Sequence, residues 1–178
     1  MSQLRGNVRL STLEKEHISR YMQFSDNLDL IDTMRWLPFS VGEEERFLQT
    51  VQVVTLPYCG NGQPIIFSII STEEDKPVGF VCLKGMNESN SSIELGIAIM
   101  EKEYRNHGLG TEALNLAINY VFKRLGLLKV GLTVFPSNVR AIKAYEKAGF
   151  RTKELLEKSW LMPTGEYVDM LFMQVTRD

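Results

Sequence analysis

The chain has 178 residues, of which 44% are hydrophobic and 24% charged, and its net charge is −2. That length suits one domain spanning residues 1–178 with a core of its own, and leaves little room for a second. The near-neutral balance forces no face to be basic, so nucleic acid and anionic membranes are disfavoured as partners, although net charge does not report local clustering.

Cys59 and Cys82 are the only cysteines, with no CxxC spacing and no His/Cys partner set. They read as free thiols in a reducing compartment, without a disulfide or a metal site. Met1 to Leu10 lacks the apolar core of a secretory signal, and the longest apolar runs, such as Ile65–Ile70, are too short to span a bilayer. A cytoplasmic protein is expected.

Val8–Leu10 ends a first strand. Leu13, His17, Ile18 and Tyr21 recur at helical spacing, so Glu14 to Ser25 is predicted helical. Asn27 to Pro38 reads as a loop with a short helical turn. Ser40 followed by Glu43 fits a capping box that opens a helix running to about Val54. Gly60-Asn61-Gly62 makes Pro57 to Pro64 a turn region. The apolar runs Ile65–Ser71 and Val78–Met86 flank the charged turn Thr72–Lys76, which is a hairpin signal. The polar stretch Asn87–Ser92 precedes a third run, Ile93–Met100. Gly108–Arg124 is predicted helical from Leu114, Ala117, Ile118 and Val121. Lys129–Phe135 is again a strand. Asn138–Ala148 is a helix with Ala141, Ala144, Tyr145 and Ala148 on one face and Gly149 as its C′ residue. Phe150–Leu161 and Tyr167–Thr176 form a final strand pair joined through Pro163-Thr164-Gly165. The result is an α+β fold of about seven strands and four helices, mostly antiparallel. The one strand–helix–strand crossover, Ile93 to Phe135, makes a parallel pair.

Tyr104-Arg105-Asn106-His107-Gly108-Leu109-Gly110-Thr111 lies between a predicted strand and a long helix. A helix start carries unpaired N–H groups and partial positive charge, and glycine lets a phosphate approach them. Arg105 adds a guanidinium fork suited to phosphate oxygens, and Thr111 a hydroxyl. Taken alone, Gly-Leu-Gly is equally a plain strand-to-helix turn. Gly108-Leu109-Gly110-Thr111-Glu112-Ala113 also matches the dinucleotide pattern, but the next strand ends Thr133-Val134-Phe135-Pro136-Ser137-Asn138 without the acid that holds a ribose. A Walker-type loop fails because no Lys-Ser/Thr follows the glycines.

Arg105-x-x-Gly108-x-Gly110 resembles the Q/R-x-x-G-x-G/A signature of the GNAT N-acetyltransferases. Asn138-x-x-Ala141-x-x-x-Tyr145-x-Lys147-x-Gly149-Phe150 is similar to that family's second motif, in the family's order and at its usual separation. Ile93-Glu94-Leu95-Gly96-Ile97 and Gly165-Glu166-Tyr167-Val168-Asp169-Met170 resemble the RimJ/RimL branch, which acetylates protein N-termini, and its amine- and drug-modifying relatives. The resemblance implies a GNAT fold with a splayed parallel pair, acetyl-CoA as co-substrate, no metal, an amine acceptor and, as in many relatives, a homodimer.

Amide formation needs a placed thioester, a neutral amine, donors for the oxyanion and a proton for the leaving thiolate. Glu94 interrupts an apolar strand. It is the base candidate that the resemblance implies, or a solvent-facing residue on an alternating strand. Tyr145 is the acid candidate, which in relatives sits near the coenzyme sulfur; its apolar helix face makes a core aromatic the alternative. Asn138 caps its helix and, by resemblance, contacts the coenzyme arm. The cofactor set comprises Arg105, Asn106, His107, Gly108, Leu109, Gly110, Thr111 and Asn138, with Ile97 and Ile99 offering backbone groups to the pantetheine. Exposure alone also explains His107. Trp36 and Phe39 line the acceptor site or belong to the core, and Asp169 and Glu166 attract a cationic acceptor or are solvated. The expected acceptor is a protein or peptide N-terminus; the alternatives are acetylation of a polyamine, an aminoglycoside or another small amine, or a non-catalytic CoA-binding module.

Overall fold

Period-two strands and period-3.6 helices follow one another in the order read from the sequence. The computed structural model of the chain describes residues 8–24, 42–53, 64–162 and 164–177, with 49–53 described as backbone alone. Its elements are β1 (Val8–Thr12), α1 (Lys15–Met22), α2 (Glu44–Val53), β2 (Ile65–Ser71), β3 (Lys76–Asn87) and β4 (Ser92–Ile99). After them come α3 (Leu109–Tyr120), β5 (Lys129–Val134), α4 (Val139–Lys147), β6 (Arg151–Leu161) and β7 (Tyr167–Thr176). These strands make one seven-stranded sheet of order β1-β2-β3-β4-β5-β7-β6. All neighbours are antiparallel except β4 and β5. The expected crossover is therefore present. The insertion of β7 between β5 and β6 was not expected.

Local differences from the sequence expectation have local causes. Glu14 and His17 form a reciprocal cap, so α1 begins at Lys15. The helix expected to reach Arg124 ends at Tyr120 and continues as a π-turn, Val121–Leu125, stopped by Gly126 at φ 70°. Trp36, Phe39, Ser40, Cys59, the loop from Asn27 to Pro38, most of the turn from Pro57 to Pro64, and Pro163 lie outside the described residues.

The sheet buries both faces. On one, Val81, Leu83, Ile93, Leu95, Val130 and Leu132 pack on Ala113, Leu114 and Ala117 of α3. On the other, Phe80, Cys82 and Ala98 pack on Ile18 and Tyr21 of α1 and Phe47 of α2. Each large apolar side chain so buried contributes about 1.5–3 kcal/mol. No helix among the described residues is long and apolar enough to cross a membrane.

Polar contacts fix α1 on this second face. Arg20 donates to Glu101 Oε1 at 2.9 Å and 2.5 Å and to the Pro77 carbonyl at 3.1 Å. The Tyr21 hydroxyl donates to the Gly79 carbonyl. Gly79 must remain bare, because a Cβ there stands 2.1 Å from the Ala98 carbonyl oxygen. Gly79→Ala is expected to destabilise by about 2–3 kcal/mol through overpacking against main chain. The melting temperature should then fall by roughly 4–12 °C, read by thermal denaturation.

Candidate active site

β4 and β5 are partners only at Ser92/Lys129, Ile93/Val130 and Glu94/Gly131. Beyond that point β4 stays with β3 as far as Ile99, and β5 stays with β7 as far as Val134. Each follows its antiparallel neighbour, and strand twist carries the two ladders apart. Met100 N donates to Val78 O. The two-residue period then turns the main-chain groups of Ala98 and Gly96 toward β3, and those of Ile99, Ile97 and Leu95 toward the gap. A cavity of about 650 Å³ runs through this gap, with walls from both faces of the sheet.

At one end lies the turn into α3. Asn106 and Gly108 have φ of 65° and 88°, so the chain reverses in left-handed conformations before the helix begins. Gly108 is the N-cap, and its carbonyl accepts the first helical bond from Glu112 N at 3.0 Å. No side chain caps this start, so the first amides of α3 are not claimed by a cap. Asn106, Gly108, Gly110 and Thr111 line the cavity. Leu109 does not: its side chain is in the core, and only its amide belongs to the turn. His107 is exposed and stands outside the wall.

Arg105 differs from its sequence reading. It is buried, and its Nε and Nη2 donate to the Ile99 and Met100 carbonyls, each at 3.0 Å. These donors tie the loop to the end of β4, while the side chain also lines the cavity. The Ile99 carbonyl is thereby occupied, and Ile97 keeps its main-chain groups directed into the gap.

α4 forms the opposite wall. Asn138 is its N-cap, with Oδ1 accepting from Ala141 N at 3.2 Å. At the other end Gly149, with φ 97°, donates to the Glu146 carbonyl at 3.1 Å, and Phe150 N donates to the Tyr145 carbonyl at 3.0 Å. This is a Schellman closure. The fully buried Phe150 also packs edge-on against Tyr145, with ring centroids 5.9 Å apart. The tyrosine is thus set by its own helix stop. Dehydration pushes its phenol up to about 12. Around the helix the lining arc runs from Tyr145 through Ala141 and Ala144 to Arg140, Lys143 and Lys147. Sequence reasoning named Lys147 only as a motif residue and did not single out Arg140 and Lys143, although the helical spacing of the three was visible.

Glu94 is 8% exposed and lines the cavity at the point where the strands part, which removes the solvent-facing reading. Lys84 stands opposite it on β3, 6% exposed and also in the wall. Lys84 was missed because a lysine in a strand reads as a surface residue. Two residues before Lys84 on β3, and opposite Gly96, sits Cys82, whose thiol burial pushes up to about 11, so it stays protonated at neutral pH. Trp160 and Met170, from β6 and β7, complete the wall. Asp169 and Glu166 do not line it: Asp169 Oδ1 accepts from Lys158 N at 2.8 Å and supports an irregularity in β6, while Glu166 is exposed.

Residues 7–151 match the acetyltransferase (GNAT) domain family. The chain belongs to the GNAT acetyltransferases. It is an acetyl-CoA-dependent N-acetyltransferase with the GNAT fold. It is 34% identical to spermidine N(1)-acetyltransferase of Escherichia coli (strain K12), over 94% of this chain and 84% of that protein. Against the mouse alpha/beta-tubulin-N-acetyltransferase 9 the identity is 27%, over 81% of this chain and 61% of that protein. Among solved structures, a spermidine N-acetyltransferase from Vibrio cholerae in complex with CoA and spermine superposes with a TM-score of 0.76. That pair is 22% identical and covers 95% of each chain, a likeness of fold.

Within this GNAT domain the Arg105 geometry has a measurable consequence. Arg105→Ala removes two charge-assisted bonds to buried carbonyls, each worth about 1.5–3 kcal/mol. It is expected to lower the melting temperature and, because the loop loses its anchor and a nearby positive charge, to weaken CoA binding by roughly tenfold. Calorimetry with CoA reads the second effect; unchanged affinity removes Arg105 from the site.

Proposed function

We propose that the chain acetylates the α-amine of peptide N-termini in the cytoplasm, by direct attack with both substrates bound. The observation that carries this reading is the gap itself, which brings Glu94, the Ile97 main chain, the α3 turn and Tyr145 onto one cavity. Acetyl-CoA supplies an activated acyl group and a thiolate leaving group.

The residues fit that ligand. The main chain of Ile97 accepts an extended amide-bearing arm as a further strand would. The uncapped amides of α3, with Thr111, receive the diphosphate, and Gly108 and Gly110 leave the approach open. Asn138 keeps α4 in register beside the arm through its cap.

Glu94 takes the proton of the attacking amine, directly or through a water. An α-amine, with a pKa of about 7.7–8.0, gives it up more readily than a lysine-type amine at about 10.4. That difference favours a peptide N-terminus. Tyr145 holds its proton firmly, so its part is a hydrogen bond onto the sulfur as negative charge develops there. Complete transfer from a phenol near 12 to a thiolate whose acid has a pKa of about 8.5 is uphill. Polyamine acetylation is the second reading, favoured by the relationship to a spermidine acetyltransferase.

Tyr145→Phe keeps the ring packing on Phe150 and loses the hydroxyl. Turnover is expected to fall about 100-fold with CoA affinity nearly unchanged, as read by steady-state kinetics and calorimetry. Because the phenol titrates near 12, well above its ordinary value, ionisation of Tyr145 should produce no basic limb in kcat/KM below about pH 10. A limb that vanishes in the Phe variant contradicts this. The acceptor is tested with a panel of peptides, spermidine and an aminoglycoside, read by mass spectrometry. Peptides are expected to react best. Preference for spermidine installs the second reading, and silence across the panel with CoA bound points to a non-catalytic coenzyme-binding module.

A further inference from the structure

α4 carries its charges unevenly. With 3.6 residues per turn, Arg140, Lys143 and Lys147 fall within an arc of about 60° around the helix. All three are exposed, and all three line the cavity. Beside them around the helix come Ala144 and Ala141, also in the wall, and then Tyr145. Glu146, the one acid of α4, lies outside this arc and does not line the cavity.

For the helix by itself this arrangement is unfavourable. Arg140 with Lys143, and Lys143 with Lys147, are like-charge neighbours three and four residues apart, and such pairs destabilise a helix. Lys147 stands at the negative end of the macrodipole, which suits a cation. Arg140 stands in the first turn, at the positive end, and that turn holds no acid. None of the three joins an ion pair among the described residues. Local folding therefore disfavours the cluster, and an anion held against it relieves both the crowding and the dipole cost.

Coenzyme A brings two separate anionic groups. Its diphosphate suits the uncapped amides of α3. Its 3′-phosphate is a phosphomonoester, close to a dianion at neutral pH, on the ribose to which the diphosphate is also attached. It needs cationic partners near the diphosphate but distinct from the amides that hold it. α3 and α4 are packed neighbours, and the α3 turn and the cation arc open onto one cavity.

We propose that Arg140, Lys143 and Lys147 form a subsite for the 3′-phosphate of the coenzyme, by which the protein distinguishes coenzyme A from its 3′-dephospho form. This deepens the acetyl-transfer reading and rests on the diphosphate lying at the α3 turn. Arg140 supplies a planar fork of donors and the two lysines supply mobile ammonium groups, so the three can close on one phosphate from an exposed helix face. The small side chains of Ala141 and Ala144 keep the helix surface low between the cations and Tyr145, which leaves the coenzyme room to lie against α4.

The test is the Kd of the full chain for coenzyme A and for 3′-dephospho-coenzyme A, read by calorimetry without turnover. Exposed ion pairs are individually weak, so the wild type is expected to prefer coenzyme A by about tenfold through the three together. Replacing all three by Met should bring the ratio close to one while leaving the Kd for the dephospho form nearly unchanged. Lys143→Met alone should lower the ratio by about twofold, Lys143→Arg should retain it, and Lys153→Met, an exposed cation outside the cavity wall, should not move it. Thermal melting checks folding, and the single variants carry the test where the triple variant unfolds. Equal wild-type affinity for the two ligands overturns the subsite and leaves the diphosphate at α3. So does a triple variant that weakens both ligands alike, which is the mark of a general positive field. Binding of neither ligand overturns the coenzyme reading and the subsite together. A preference for coenzyme A that depends on the three cations, with no transfer to any acceptor, supports the subsite and overturns the acetyl-transfer reading.

Discussion

The rest of the site hangs on the parting of two parallel strands. A buried sheet normally satisfies every main-chain N–H and C=O across its ladders, and leaving such groups unpaired away from water is costly. Here β4 and β5 stop pairing after Glu94 and Gly131 while both strands continue. The groups of β4 that turn toward the gap need partners from outside the sheet. At Ile99 the chain provides one itself, the Arg105 guanidinium. Before Ile99 the gap is lined for a ligand with amides of its own, which suits the extended arm of a coenzyme in a GNAT enzyme.

Two helices border that gap and are organised by different devices. α3 begins at a left-handed Gly108 with no side-chain cap, so its positive end faces the cavity. α4 begins at a capped Asn138 and ends in a Schellman closure that shares Tyr145 with the stop signal. The spacing from Tyr145 to Gly149 and Phe150 therefore has a structural reason beside any catalytic one. The phenol is positioned by the helix terminus and by the ring of Phe150. Bare amides at one helix start and a fixed side chain at the other helix end stand on two sides of one cavity.

The opposite face explains why a carboxylate can be buried where the strands part. Glu94 is not alone in its ladder: Lys84 stands across from it, and small or apolar residues continue both rows. α1 is held on this face by Arg20, its bonds to Glu101 and Pro77, and the contact of Tyr21 with Gly79. Those contacts keep this face covered, so Lys84 and Glu94, both buried, sit where charge is poorly screened.

The amino-acid sequence by itself determined the element types, the single parallel crossover, the glycine turn before α3 and the cap-to-stop extent of α4. Each of these is written in residues close together in the chain: period-two or helical spacing, an Asn cap, a Gly stop. The tertiary structure alone decided where β7 inserts, where β4 and β5 part, and that Arg105 turns back onto the Ile99 and Met100 carbonyls. It also decided that Lys84 faces Glu94 and that Asp169 serves the β6 irregularity instead of the cavity. These depend on partners distant in sequence, or on the direction a side chain takes once those partners are in place. No local pattern encodes either, because propensity and periodicity act over a few residues, whereas register and burial are set by the whole sheet.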